Sequence, residues 1–254
     1  LTIPLLKVTR SFSYDDTQRQ KLSKSPRSRR RIEKLQRSDW VDIFYRKVKE
    51  EIQFIRKGIN QHYTLSPKPV KSVIKAGVDT STTELMKEKD ILITSPPYLQ
   101  AQEYMRHAKM DLFWLGYSES FVRRLGKKEI PYKNVDPYKI ESEIYYKIRK
   151  EIKEQRLRGI FDAYFWGILG SLTRLQEKVS SYLFLFVGPA TIRGCPVPID
   201  DIFLQHFTAL GWDHEITLVD TIVARRMFFY KNNPATGLKD RRMRTESLIV
   251  LKKR

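Results

Sequence analysis

The stretch DILITSPPY, residues 90–98, places a hydroxyl, two prolines and an aromatic ring at the end of an apolar run. A proline has no N–H to donate and fixes φ, so this turn is rigid and its backbone oxygens remain available to a ligand. The oxygens of Ser95 and Pro96 and the ring of Tyr98 suit a planar group bearing an NH₂, because two acceptors take its hydrogens while the ring holds its plane. Lone-pair density then returns to the exocyclic nitrogen, and no covalent nucleophile is needed. The alternative is an ordinary proline-rich turn between a strand and a helix.

Apolar runs of strand length alternate with helical periodicity, and this pattern predicts an α/β fold. The predicted strands are 73–78, 90–94 and 182–188, with a terminal antiparallel pair formed by 215–224 and 246–253. Five helices are predicted. The first begins at Asp39, the second spans 101–116, the third carries Ile140–Ile152, the fourth carries Phe161–Val179, and the fifth spans 199–210. A loop is predicted over 127–138 and a Gly/Pro loop after residue 188. Ligands of open α/β sheets bind outside the carboxyl ends of the strands, which is where Ser95 falls.

The chain is strongly basic, with 48 Lys and Arg against 29 Asp and Glu, a formal charge of +19 and a pI near 9.9. This excess predicts a polyanionic partner, nucleic acid first and an acidic membrane surface second, whereas a merely basic surface is the alternative. Basic residues concentrate between Arg19 and Arg37. We expect this segment to lie on the surface and to contact phosphate through Arg29, Arg30 and Arg31, although such runs are often only solvated.

The composition excludes several classes of protein. The single cysteine, Cys195, excludes an internal disulfide framework and a cysteine-based metal cluster, and it fits a reducing, cytoplasmic compartment. The four histidines show no metal-ligand spacing. No apolar run approaches the roughly 18 residues that span a bilayer, and no signal peptide is found.

The residues around Ser95 carry a resemblance to a known family. DILITSPPY resembles the catalytic motif of amino-group DNA methyltransferases, (Asp/Asn/Ser)-Pro-Pro-(Tyr/Phe/Trp). SPPYLQAQEYMRHAKMDLFWLGY (95–117) is similar to the stretch that follows this motif in a largely archaeal group of these enzymes. AGVD (76–79) resembles the segment whose acid reaches the cofactor adenine, YLFLFVGPATIRG (182–194) resembles the next sheet strand, and RMRTESLIVLKK (242–253) resembles the closing hairpin.

The resemblance implies a Rossmann-like methyltransferase sheet, mostly parallel with a C-terminal antiparallel hairpin. It implies direct transfer of a methyl group from S-adenosyl-L-methionine to the exocyclic amine of a base flipped out of double-stranded DNA. Ser95 and the Pro96 carbonyl would accept the amine hydrogens, Pro97 would hold the turn, and Tyr98 would stack on the base. The cofactor would contact two further residues: Asp79 would bind its adenine, and Thr94 would border its methionine part.

The resemblance also bears on specificity and on DNA contacts. Serine in the first motif position favours cytosine N4 over adenine N6, in the setting of a restriction–modification system. Three arginines beside the last hairpin are expected to follow the DNA backbone: Arg225, Arg226 and Arg244. We expect a basic segment at 1–38 and a catalytic domain at 39–254, within which 118–158 forms a DNA-contacting insertion.

The family's glycine-rich cofactor loop is missing, since no Gly-x-Gly occurs in the sequence. The closest pair, Gly167 and Gly170, lies in a predicted apolar helix, where packing is the expected reason for glycine. The family also places two strands between those that end at Asp79 and Ser95. We therefore expect the sheet to be incomplete at its N-terminal side and the loop to precede Leu1 or to come from a second polypeptide, with weak or absent cofactor binding by this chain alone.

Two other functions remain open on the sequence alone. RNA base methylation is one, because related enzymes carry Asn- or Asp-Pro-Pro-Tyr. The other is a non-catalytic nucleic-acid-binding remnant that has kept its basic surface and lost cofactor binding, which the absent glycine loop favours.

Overall fold

The computed structural model describes residues 2–15, 24–65, 71–99, 104–130, 134–222 and 245–254. These residues belong to two compact units, one formed by Leu1–Ala76 and Glu103–Lys127 and the other by Gly77–Gln102 and Lys128–Arg254. No helix of the described residues is both long enough and apolar enough to cross a membrane.

The first unit is helical in its described part. Its helices are α1 (Thr2–Val8), α2 (Pro26–Lys34), α3 (Arg37–Leu65), α4 (Tyr104–Trp114) and α5 (Glu119–Gly126). Ser25 begins α2: its Oγ accepts a hydrogen bond from the Ser28 N–H at 3.1 Å, and Pro26 occupies the first turn, where a missing N–H costs nothing. The predicted basic surface segment therefore contains a helix, which charge alone did not indicate.

The second unit combines a sheet with helices. Its elements are β1 (Lys89–Thr94), α6 (Glu143–Glu151), α7 (Gln155–Gln176), β2 (Val179–Val187), β3 (Ala190–Ile192), β4 (Cys195–Val197), α8 (Ile199–Ala209), β5 (Trp212–Thr221) and β6 (Thr245–Lys253). The α/β class is confirmed, together with the strand that leads into Ser95 and the terminal antiparallel pair, β5 and β6. The predicted Gly/Pro loop contains the small β3–β4 hairpin.

The main sheet has four described strands in the order β1-β2-β6-β5. The β1–β2 pair is parallel, whereas β6 is antiparallel to both of its neighbours, β2 and β5. Among the described strands, β1, β2 and β5 therefore run in one direction and β6 runs in the opposite direction. Because β6 lies between β2 and β5, β1–β2 is the one hydrogen-bonded pair of described strands that is parallel. The carboxyl ends of β1, β2 and β5 consequently share one edge of the sheet with the start of β6.

The predicted strand at 73–78 is wrong, because the backbone of these residues forms no strand. Their apolar side chains lie in solvent: Val73 is 77% and Ile74 91% exposed. A strand needs a neighbour to satisfy its N–H and C=O groups, and the described chain supplies none for this segment.

The core of the second unit lies between the sheet and the helices α7 and α8. Phe161, Phe165, Phe203 and Phe207 are fully buried in it. Gly167 of α7 packs against the loop that precedes α6. A Cβ at this position would come within 2.9 Å of Ile130 Cδ1. The expectation that packing explains this glycine is confirmed.

Candidate functional site

The SPPY turn lies directly after β1, at the carboxyl edge of the sheet. Thr94 is the last residue of β1 and pairs in register with Leu185 of the buried strand β2. Ser95 is then exposed, Pro96 is buried, and Pro97 and Tyr98 are half-buried. Leu99, which follows at once, is 2% exposed and belongs to the core cluster. The turn is therefore held at both ends, by the strand ladder and by a buried leucine.

The Tyr98 ring is oriented by a hydrogen bond across the sheet. Its hydroxyl donates to Glu246 Oε1 at 2.5 Å. Glu246 lies near the start of β6, and β2 runs between β1 and β6, so the contact spans two strand spacings, about 10 Å. Continuing the β2–β6 register by one residue places Gly188 level with Glu246. The ring is thus fixed beside the turn rather than free to rotate.

The turn contains acceptor oxygens that the described residues do not engage. Within the described ranges, neither the Ser95 hydroxyl nor the carbonyl oxygens of Ser95 and Pro96 take part in a hydrogen bond. Proline at positions 96 and 97 removes two backbone donors that could otherwise have closed the turn on itself. Acceptor oxygens, a fixed turn and a fixed aromatic ring consequently occur together at this edge of the sheet.

Asp79 lies in a tight local turn instead of at a strand end. Its Oδ1 accepts hydrogen bonds from the Ser81 N–H at 2.9 Å and from the Ser81 hydroxyl at 2.6 Å, and its backbone oxygen accepts from Thr83 Oγ1 at 2.7 Å. Arg174 of α7 donates to the Ser81 carbonyl and so attaches this turn to the core helix. The predicted cofactor acid thus has one carboxylate oxygen engaged by its own turn.

The three predicted arginines of α2 have different surroundings. Arg29 is exposed and pairs with Glu33 at 2.8 Å, and Arg30 is exposed. Arg31 turns inward: its Nη2 donates to the carbonyl oxygens of Arg10, Ser13 and Asp15 at 3.1, 2.9 and 3.2 Å. Arg29 and Arg30 are therefore exposed, whereas Arg31 stabilises the loop after α1.

The other three predicted arginines, Arg225, Arg226 and Arg244, lie outside the described residues, and their DNA contacts remain a prediction.

A second polar contact at the carboxyl edge was missed from the sequence. Ser247 Oγ, next to Glu246, donates to Asp200 Oδ2 at 2.9 Å and ties β6 to the first turn of α8. Burial, and secondarily the charge of Asp200, raises the pKa of the adjacent Asp201. The resemblance included Glu246 in the closing hairpin, but no local pattern connects it with a tyrosine 148 positions away.

A buried polar network supports the helices behind the sheet. His206 of α8 is fully buried; its Nδ1 accepts from the Glu141 N–H at 3.0 Å and its Nε2 lies 2.9 Å from Thr173 Oγ1 of α7. Because Nδ1 accepts, the neutral ring carries its proton on Nε2. Burial lowers the pKa of His206 to about 4, which the carboxylate of Glu141 partly opposes. This histidine is a structural tie between two helices and a loop.

The single cysteine has no feature of a nucleophile. Cys195 is half-buried and its Sγ lies 3.4 Å from Glu151 Oε2. Burial, followed by the hydrogen bond and the charge of Glu151, raises the pKa of the thiol, so the reactive thiolate is disfavoured. Among the described residues, no group of three or more potential ligands is arranged to hold a metal ion.

Comparison with known proteins found no match to a family model, to a curated protein or to a solved structure. The functional argument consequently depends on the geometry of this chain.

Proposed function

We propose that this chain carries the base-binding and catalytic part of an S-adenosyl-L-methionine-dependent methyltransferase acting on an exocyclic amine of DNA, with cytosine N4 as the favoured position. The observation that carries the proposal is the SPPY turn at the carboxyl end of β1. It combines an exposed Ser95 hydroxyl and uncommitted carbonyl oxygens with a Tyr98 ring anchored through Glu246. The resemblance of this motif to amino-group methyltransferases supplies the chemical class.

Each residue of the turn then has a defined task. Ser95 Oγ and the Pro96 carbonyl accept the two amine hydrogens, which draws the nitrogen lone pair out of conjugation with the base. Tyr98 stacks on the base and fixes the direction of that lone pair. The bound donor supplies a methyl group already activated by its positive sulfur, so the protein's contribution is orientation and not covalent catalysis. The proton released from the nitrogen passes to solvent.

The described residues do not by themselves fit the cofactor. The sequence has no Gly-x-Gly at which backbone could approach it closely, residues 73–78 form no strand, and Asp79 Oδ1 is already engaged by Ser81. Among the described strands β1 has one neighbour, so its other edge is open. Ile91 and Ile93, which project from one face of β1, are 47% and 69% exposed, so that face is also uncovered. An open edge of this kind supports completion by an upstream segment or by a second polypeptide.

The charge of the chain supports a nucleic acid as substrate. A surplus of +19 attracts a polyanion, and Arg27, Arg30 and Lys34 line a shallow groove on α2. Phosphate contacts position a duplex without reading its sequence, so this surface supports binding and does not define a target. A restriction–modification system and a cytoplasmic location are proposed on the resemblance and the composition, respectively.

Photochemical cross-linking tests the base-binding turn without requiring the cofactor. Duplex DNA containing 5-iodocytosine is bound to the chain and irradiated, and the cross-linked peptide is mapped by mass spectrometry. We expect the adduct on Tyr98, its retention in Tyr98→Phe and its loss in Tyr98→Leu. Tyr117→Leu, which removes an exposed ring outside the SPPY turn, is the control. Adducts confined to other residues and unchanged in Tyr98→Leu would contradict the proposal.

A non-catalytic nucleic-acid-binding protein is the second candidate, favoured by the engagement of Asp79 and the absence of a glycine loop. Calorimetric titration with S-adenosyl-L-methionine bears on both. Micromolar binding to the isolated chain would refute the need for another segment. If no methylation appears after the upstream segment is restored, and Tyr98→Ala leaves DNA affinity unchanged, the binding-only function is favoured.

A further inference from the structure

Helix α3 packs one stripe of residues against α1 and the loop after it, and it leaves a second, apolar stripe exposed. The helix has 29 residues and is therefore about 43 Å long. Its inner stripe faces α1 and the loop after it: Trp40 stacks on Phe12 with ring centroids 4.6 Å apart, and Glu51 accepts from Lys7 at 2.5 Å. Phe54, three residues on from Glu51, lies under the Lys7 ammonium with 6.0 Å between Nζ and the ring centroid.

A second stripe, the α3 seam, lies one residue further along and is therefore rotated by about 100° from the first. It consists of Val41, Tyr45, Val48, Ile52, Ile55 and Ile59. Five of these side chains are exposed by 45–62%, and Val48 is half-buried. Their spacing alternates between four and three residues, which is the heptad repeat of a coiled coil and not the pattern of a solvated helix face.

We infer that the α3 seam is a self-association surface on which the α3 helix of a second copy of this chain packs in parallel and in register. The seam residues occupy the a and d positions, with Tyr45, Ile52 and Ile59 at a and Val41, Val48 and Ile55 at d. In this arrangement each residue meets its own counterpart across a two-fold axis, so the surface is complementary to itself.

The charges beside the seam select a second copy in the parallel orientation. The g and e positions pair Arg37 with Asp42 of the second copy, and the two-fold symmetry produces this attraction twice. An antiparallel arrangement places Lys49 opposite its own counterpart.

Light scattering with size-exclusion chromatography tests the inference on the full chain. We expect a mass about twice the 30.1 kDa of one chain. Replacing Ile52 and Ile55 by glutamine removes two buried contacts, so the concentration at which the dimer dissociates should rise at least about tenfold. Glu50→Gln with Lys57→Gln changes two outward f positions without changing net charge and should leave the mass unchanged. A single-chain mass for the wild type at tens of micromolar would overturn the inference.

Disulfide trapping tests the register and does not depend on the strength of association. In a Cys195→Ser background, Ile52→Cys should form an intermolecular disulfide on mild oxidation, because parallel a positions lie within bonding distance. Gln53→Cys, one residue away on the exposed surface, should not. Equal trapping at both positions, or none at Ile52→Cys, would contradict the parallel in-register pairing. Circular dichroism confirms that each variant keeps its helices.

Discussion

The buried imidazole of His206 should make the stability of the protein depend on pH. Its pKa is lowered to about 4 by burial in the folded chain, whereas an unfolded histidine titrates near 6.5. As the pH falls, the histidine of the unfolded state therefore binds its proton at a higher pH than the histidine of the folded state. Stability is fully present above pH 6.5 and is lost as the pH falls towards 4. Protonation of His206 Nδ1 would also direct a new N–H at the Glu141 N–H, from which Nδ1 accepts a hydrogen bond in the neutral ring.

The magnitude follows from the separation of the two pKa values. The difference of about 2.5 units corresponds to about 3 kcal/mol over the whole range, of which about 2 kcal/mol is lost between pH 7 and pH 5. Urea denaturation of the wild type and of His206→Gln at these two pH values measures it. The wild type should lose about 2 kcal/mol more than the variant, whereas His214→Gln, at an exposed position on β5, should behave like the wild type. Equal losses in the wild type and His206→Gln would refute the reasoning.

Two further predictions concern the stability of the second unit. Asp162→Ala should destabilise the fold by about 2–3 kcal/mol, because the buried carboxylate accepts from the Tyr145 hydroxyl at 2.7 Å and from Arg149 Nε at 2.8 Å. Urea denaturation at neutral pH measures this, and a loss below 0.5 kcal/mol, a typical surface value, would count against a structural role. Gly159→Ala should stabilise α7 by about 0.5–1 kcal/mol because the position is open, whereas Gly167→Ala should show no gain because its Cβ would meet Ile130 at 2.9 Å. A gain at both positions in thermal unfolding would show that the Ile130 contact is unimportant.

Much of the fold was accessible from the sequence because the signals were local. The continuous apolar run in β2 and the helical spacing in α7 mark buried elements whatever surrounds them. Helix α2 was missed because its basic residues suggested a solvated segment, although Ser25-Pro26 is a start signal. The β3–β4 hairpin was missed because its strands have three residues each, and the positive φ of Arg193 and Gly194 at its turn was not anticipated.

The long-range features were not accessible in this way. Residues 73–78 have the composition of a strand, but a strand depends on a partner that the described chain does not supply. The position of the SPPY turn followed from the strand before it, whereas the bond from Tyr98 to Glu246 depends on β2 separating β1 from β6. Only the strand order of the sheet could have revealed it.

Label transfer from tritiated S-adenosyl-L-methionine tests the central claim most directly, using this chain together with the segment or polypeptide that completes the cofactor site. DNA and tRNA are offered in parallel, and the labelled nucleosides are identified. We expect N4-methylcytosine in DNA, about a 10- to 100-fold lower rate for Tyr98→Ala because base stacking is lost, and an unchanged rate for Tyr117→Ala. Label confined to tRNA, or a rate in Tyr98→Ala equal to that of the wild type, would contradict the account.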